Sequence, residues 1–419
     1  MRTIPEPQCA KDFVVIIGAG PAGLATAARL LHAEVPFVVL ERAATAGASW
    51  RHRYHRLHLH THSSYSSLPY FPFPDHFPDF VSAQDLADYY EGVAAHMSEH
   101  IRFGVEVVSV ELRQLKLPGG GGKTAAKVKL ASGETYNAAA LVVATGQEGT
   151  PYIPKLPGAE TFGGKTMHSS EWVSGTEYAN KTALVVGFGN SGSEIALDLW
   201  EGGATSVTAL VRSPIHMLPR DLVVAFKRPF WFARHYFPVW LGDLIATKIV
   251  YPLLYSDIEK YNLRLKSTGP GKETIESHKA PVQDLGTYDL IRRGEIDVVA
   301  SPIARLTKSG AVFEDGTERA FDLIVFATGF DHTGAPHAKF LSKGVVSALG
   351  PHPESGRAAV APALFLTGFS DHSGRLGEIA FESEAIAAEL SEVVAPQPAE
   401  RAGAARRRAV AGRPVCRST

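Results

Sequence analysis

Apolar positions along the chain change period in an order that occurs twice. Phe13-Val14-Val15-Ile16-Ile17 is an unbroken apolar run rich in β-branched residues. It gives way to Gly18-Ala19-Gly20-Pro21-Ala22-Gly23 and then to the alanine- and leucine-rich LATAARLL. A short continuous apolar run bounded by glycine predicts a strand buried on both faces, and the segment after it predicts a packed helix. The order recurs from Thr182: TALVV, then Gly187-Phe188-Gly189-Asn190-Ser191-Gly192, then SEIALDLW. Each copy leads into another apolar strand, VPFVVLER and SVTALVRS. Two such β-α-β units predict an α/β fold with two Rossmann-type dinucleotide-binding domains.

The intervening LPGGGGKTAAKVKLASGETYNAAALVVATG predicts a β-meander. Gly119 to Gly122 form its hairpin tip or linker, Ser132-Gly133 a tight turn and ALVVATG its last strand. AVFEDGTERAFDLIVFATGF repeats that plan in the second half. After Phe330, a loop with glycine, proline and histidine leads to ALFLTGF, a glycine-rich loop and a helix. This unit is expected to return to the first domain and make it discontinuous. The expected boundaries are 1–160 plus 320–395 for the first dinucleotide-binding domain and 161–319 for the second. Residues 396–419, with Arg406, Arg407 and Arg408 in a row, are expected to be a solvated disordered tail. The most apolar region, Phe230 to Leu254, is interrupted by Arg234, His235, Asp243 and Lys248. It therefore falls short of the ~20 uninterrupted apolar residues a membrane span needs. An amphipathic helix pair covering a pocket is expected there, with peripheral membrane contact as the alternative.

Composition narrows the class. The 419 residues carry 42 Lys+Arg against 43 Asp+Glu, a formal net charge of −1, which argues against a general nucleic-acid or membrane-surface binder. The two cysteines, Cys9 and Cys416, lie near opposite ends. No disulfide framework or CxxC pair is implied, so a cytoplasmic setting is expected.

The two loops carry the first chemistry. In a GxGxxG turn between strand and helix, Gly18 permits the tight turn, Gly20 lets backbone approach a pyrophosphate, and Gly23 allows close helix–strand packing. Pro21 and Ala22 complete the loop, whose helix N-terminus favours phosphate. Glu41 stands 23 positions after Gly18, at the end of the second strand. A carboxylate there accepts hydrogen bonds from ribose hydroxyls and repels a 2′-phosphate, favouring FAD or NAD. In the second loop, Gly187, Gly189 and Gly192 take the same parts around Asn190 and Ser191. The following strand ends in Arg212-Ser213, and arginine suits a 2′-phosphate, favouring NADPH. Two sites of opposite ribose preference suggest a relay in which NADPH gives hydride to FAD.

Phe162, Gly164, His168 and Trp172 fit FxGxxxHxxx(aromatic), just before the second loop, with FATGF (Phe326 to Phe330) downstream. The set resembles the fingerprint of class B flavin monooxygenases. Within that class the chain is similar to the flavin-containing and plant YUCCA-type monooxygenases. Gly47-Ala48-Ser49-Trp50, YHRLHLH, FPFPDHFPDF, LTGFSDHSGRLGEIAFESEAIAAEL and LKSTGPGKETIESHKAPVQDLGTYDLIRRGEIDVV carry the likeness, over roughly residues 12 to 392. The resemblance implies an enzyme that uses NADPH, FAD and molecular oxygen to form a C4a-(hydro)peroxyflavin, which oxygenates a small organic substrate. A YUCCA-like route is oxidative decarboxylation of an aryl 2-oxo acid such as indole-3-pyruvate; the alternative is N- or S-oxygenation of a small amine or sulfide. It implies that Gly18, Gly20, Gly23, Glu41, Arg42, Trp50 and His58 hold FAD, and that Gly187, Gly189, Ser191, Gly192, Arg212 and Ser213 hold NADP. His168 would organise the linker, and Thr145-Gly146 and Thr328-Gly329 would end strands beside the nucleotides. The oligomeric state is open, a homodimer included.

Two departures and one cluster qualify the resemblance. Trp172 is followed by Val173, where Baeyer–Villiger enzymes place Pro or Asp. An asparagine found near the flavin in many flavin-containing monooxygenases is missing from LHLHTHSSY. His60 and Thr61 are therefore the candidate catalytic residues, through an imidazole or hydroxyl that steadies the peroxide. RHRYHRLHLHTHSSY holds five histidines between His52 and His62. In an extended segment His58, His60 and His62 share one face and could hold zinc or copper; the resemblance implies a flavin-pocket wall and no metal. A disulfide reductase would need a cysteine pair near the flavin; a quinone reductase or other non-oxygenating NADPH/FAD oxidoreductase and a non-catalytic NADPH/FAD sensor are the remaining alternatives.

Overall fold

The computed structural model describes residues 13–116, 122–220, 238–277, 279–331, 335–369 and 375–394. The first half contains β1 (Val14–Ile17), α1 (Pro21–His32), β2 (Phe37–Leu40), α2 (Ala48–Arg51), α3 (Ala83–Ala95) and β3 (Ile101–Arg102). A meander follows of β4 (Val107–Lys116), β5 (Gly122–Leu130) and β6 (Thr135–Ala138), then β7 (Ala140–Val143) and β8 (Thr150–Pro151). The second half contains β9 (Lys165–His168), β10 (Thr182–Val186), α4 (Asn190–Glu201), β11 (Ser206–Leu210), β12 (Met217–Pro219), β13 (Val282–Asp284) and β14 (Ile296–Val299). After it come β15 (Ile303–Leu306), β16 (Gly310–Phe313), β17 (Glu318–Ala320), β18 (Leu323–Phe326), β19 (Phe330–Asp331), β20 (Gly356–Arg357) and β21 (Leu364–Leu366).

Two sheets organise the chain. The first has the order β20-β21-β7-β1-β2-β3 and the second β14-β11-β10-β18-β9. All pairings in the second are parallel, and in the first only the β20–β21 edge is antiparallel. Continuous apolar strands follow from this burial. In β1, Val14 and Ile16 pack into one core while Phe13, Val15 and Ile17 pack into another on the opposite face. In β10, Ala183 and Val185 face one core and Leu184 and Val186 the other.

The predicted return of the chain to the first sheet occurs: β21 pairs with β7, and Arg29 of α1 meets Glu384 of the helix Arg375–Val394 at 3.0 Å. The expected boundary at 319/320 needs correction. β18 is hydrogen-bonded between β10 and β9, so the second sheet extends through Phe326. Both meanders form as expected, and Gly133 turns at φ 93°. The expected helix pair near 230–254 is, among the described residues, one run: a helix Val239–Ile245, a π-turn Ala246–Val250 and a helix Tyr251–Leu254. Residues 230–237, the tail 396–419, both cysteines and Gly119 to Gly121 lie outside the described residues. Among the described residues no helix is long and apolar enough to cross a membrane.

Candidate active site

The two glycine loops sit at the carboxyl ends of β1 and β10, each opening a helix. Gly18 turns at φ 107°, where a Cβ would stand 2.6 Å from the Ala144 oxygen; Gly187 turns at φ 98°, with the same clash at 2.5 Å from the Ala327 oxygen. Gly23 and Gly192 are packing positions, since a methyl on either would overlap the carbonyl of Gly18 or Gly187. Gly20 and Gly189 have open space where their Cβ would be. Each loop therefore has one glycine for the turn, one for packing and one facing a void that a pyrophosphate can enter. Pro21 and Ala22 begin α1, while Asn190 and Ser191 begin α4.

Glu41 closes the first loop. Its two oxygens accept from Ala19 N at 2.6 Å and Ala43 N at 2.7 Å. A carboxylate oxygen has two lone pairs, so both remain able to accept a ribose hydroxyl. Arg42 is exposed. The Gly47 turn docks on the loop through Gly47 N to Ala19 O at 3.0 Å, which brings half-buried Trp50 against the first core. Thr145 Oγ1 is buried with no partner among the described residues, and Gly146 turns at φ 74°. An orphaned hydroxyl on the residue whose Cα lies against the Gly18 turn fits a bound dinucleotide.

Arg212 and Ser213 are exposed at the end of β11. Asn190 departs from the expected contact role: its side chain bonds Gln283 N at 2.7 Å and Pro281 O at 3.3 Å, tying α4 to β13. His168 is fully buried. Its Nδ1 accepts from Ser170 N at 3.1 Å, so its Nε2–H donates to Gly329 O at 2.9 Å. Burial pushes this imidazole below its ordinary range. Nε2 thus joins the linker to the turn at Gly329, φ 78°, while Nδ1 caps the turn that follows His168, and Thr328 Oγ1 bonds Tyr152 O. Trp172 stacks on Tyr178 and donates to Asp198 Oδ2 at 2.8 Å.

The histidine run differs from the expected extended face. Only an isolated bridge, His58 to Ser82, forms there, and the three rings take separate partners. His58 Nδ1 donates to Arg56 O at 2.8 Å. His62 Nδ1 accepts from Ser64 N at 3.1 Å, and its Nε2 lies 3.1 Å from Asp79. His60 Nε2 meets Glu194 Oε1 of α4. The shared face that would have held zinc or copper does not form.

Thr61 also needs correction. Ser66 Oγ must donate its one proton to His62 O at 2.8 Å, because a carbonyl only accepts. Thr61 Oγ1, 2.8 Å from Ser66 Oγ, is therefore the donor in that pair. Its proton is committed, and it has none to offer a peroxide. Local sequence reasoning did not find Glu194, Tyr54, Asp198 or Gln283. The available signal was EIALDL, which sets two acids four residues apart in an otherwise apolar stretch of α4.

A family described as FMO-like, flavin-binding monooxygenase-like, matches residues 11–348. The indole-3-pyruvate monooxygenase YUCCA1 of Oryza sativa subsp. japonica is 39% identical over 323 residues, covering 75% of this chain and 76% of that protein. The probable indole-3-pyruvate monooxygenase YUCCA10 of Arabidopsis thaliana is 37% identical, covering 76% of this chain and 82% of that protein. Among solved structures, a flavin-containing monooxygenase from Stenotrophomonas maltophilia shares the fold with a TM-score of 0.66, at 22% identity over 92% of this chain and all of that one. A cyclohexanone monooxygenase from Rhodococcus sp. Phi1 bound to NADP+ gives 0.65, at 21% identity over 94% of this chain and 84% of that one. With two dinucleotide loops, the linker fingerprint and these relatives, the chain belongs to the flavin-binding monooxygenase-like family.

Proposed function

We propose that the chain is an FAD- and NADPH-dependent monooxygenase acting on a small aryl 2-oxo acid of the indole-3-pyruvate class. The observation that carries this reading is the 39% identity, over three quarters of both chains, to a rice enzyme of that name. The first loop and Glu41 hold FAD: amides of the α1 N-terminus take the pyrophosphate, and the carboxylate takes the ribose. The second loop holds NADPH, with the Arg212 guanidinium on the 2′-phosphate. The flavin, reduced by NADPH, supplies the oxygen chemistry. The protein positions the two cofactors and keeps water out. His168 fixes the linker between the sheets and exchanges no proton. Of the two candidate catalytic side chains, His60 retains a ring nitrogen, Nδ1, that can hold a proton at the site, whereas Thr61 cannot donate one.

The balanced reaction consumes one 2-oxo acid, one O2, one NADPH and one proton; it yields the shortened acid, CO2, water and NADP+. The test is product analysis of purified enzyme with NADPH, oxygen and indole-3-pyruvate. Indole-3-acetate and CO2 in step with NADPH consumption are expected. Absence of the acid, with oxygenation of a thioether or amine in its place, overturns the substrate class.

A further inference from the structure

Three acids lie on one face of α4 at helical spacing: Glu194, Asp198 and Glu201. Each bonds a group outside the second sheet. Glu201 takes Arg56 through Nε at 2.6 Å and Nη2 at 3.0 Å. Asp198 takes Trp172 Nε1 and, at 2.9 Å, Gly175 N. Glu194 takes Tyr54 Oη at 3.1 Å on one oxygen and His60 Nε2 on the other. The helix that opens at the second dinucleotide loop is thereby fastened to the segment that follows the Gly47 turn at the first.

Glu194 differs from the other two. Its side chain is 1% exposed, and a carboxylate so buried is stable only when its charge is met. Tyr54 stays a neutral donor, because burial and the neighbouring carboxylate push its phenol far above the ordinary range. The His60 Nε2–H then fills the second oxygen. This fixes the ring: Nδ1 is a lone-pair acceptor when the imidazole is neutral and a donor when it is protonated. Nδ1 has no protein partner among the described residues, and the side chain is 24% exposed.

A second unmet group belongs to the same cluster. Gln283 Nε2 donates to His60 O at 3.1 Å, and Gln283 N to Asn190 Oδ1, at the first residue of α4. Gln283 Oε1 is buried and unpartnered among the described residues. A buried, unpartnered amide oxygen on a side chain bonded to the His60 carbonyl, together with the open imidazole nitrogen of His60, fits a ligand at the start of α4 that carries hydroxyl or amide donors.

We propose that Glu194 is a positioning residue that locks His60 across the two sheets, so that His60 Nδ1 and Gln283 Oε1 bind donor groups of the NADP(H) seated at α4. The inference rests on the dinucleotide reading of the Gly187 loop. NADP+ titration of the purified flavoprotein by calorimetry tests it, in the wild type, Glu194→Gln, His60→Gln and the double variant. Each single change is expected to raise the NADP+ Kd by about fivefold or more, with the double no worse than the weaker single. In 15N-histidine NMR, one ring in the Nε2–H form is expected to shift on adding NADP+, and its resonances to move in Glu194→Gln, where a neutral amide replaces the carboxylate that accepts from Nε2–H. A purely structural role for Glu194 would leave that ring insensitive to NADP+. A folded Glu194→Gln that binds NADP+ within about twofold of wild type overturns the inference, as does a His60 ring that NADP+ leaves unmoved. Should Glu194→Gln fail to fold, His60→Gln decides by the same thresholds, since its amide still donates to Glu194. A wild type that binds no NADP+ overturns the dinucleotide assignment itself, and the two failures are thus distinct.

Discussion

At the scale of single residues, identity mattered less than which proton each side chain can spare. Thr61 and His60 are neighbours, yet the threonine proton is committed to Ser66, whereas the imidazole keeps one nitrogen open. Thr61→Val should therefore cost about 1 kcal/mol of stability from the lost hydrogen bond. It should leave the ratio of product formed to NADPH consumed at the wild-type value. Denaturant unfolding and coupled product assays measure both, and a variant that wastes NADPH would return Thr61 to the chemistry. Arg212 gives the opposite expectation. It is exposed and has no partner among the described residues, so Arg212→Ala should leave the melting temperature unchanged. The lost 2′-phosphate contact should raise KM for NADPH by about tenfold or more and leave KM for NADH unaltered. Equal effects on both coenzymes would remove the arginine from the 2′-phosphate.

At the scale of elements, each glycine loop separates folding from binding by one or two positions. Gly23→Ala puts a methyl into the Gly18 carbonyl oxygen and should destabilise by roughly 1–3 kcal/mol or more, as forced overpacking does. Gly20→Ala meets nothing within 4 Å and should fold normally. Its methyl occupies the space the pyrophosphate needs, so the purified protein should emerge with little flavin. Absorbance of bound flavin against circular dichroism distinguishes the two, and full flavin loading of Gly20→Ala would sink the loop assignment. These loops were legible in the sequence because local pattern determines them: an apolar strand, a turn that only glycine can make and a helix. The histidine run was not. Its period-two spacing suggested a strand, but the local rule had a single β-branched residue, Thr61, behind it, and long-range partners such as Glu194 and Asp79 took the rings in different directions.

At the scale of the molecule, the sequence announced two sheets but not which strands belong to each. β7 and β18 both lead into Ala-Thr-Gly and follow similar meanders, so local pattern treats them alike. Their partners differ: β7 lies between β21 and β1, and β18 between β10 and β9, choices made by contacts across more than a hundred residues. The same long-range burial governs the response to acid. His168, His216 and His337 are buried, and burial pushes all three imidazoles below their ordinary range. In the unfolded chain they take up protons near pH ~6.5, and in the folded chain they resist until lower pH. The unfolded state thus binds more protons as the pH falls from about 7 to about 5, and stability drops by at most ~1.4 kcal/mol per pH unit for each histidine. Carboxylate ion pairs are lost mainly below that window, which leaves it to the histidines. His337 is the cleanest probe: its ring packs edge-on against Phe369 at 5.4 Å, and its Nδ1 has no partner among the described residues. His337→Phe keeps the packing and removes the proton site. Between pH 7 and 5 its melting temperature should therefore fall less steeply than that of the parent. Parallel slopes for the two proteins would mean that His337 gains its proton as readily in the fold as out of it.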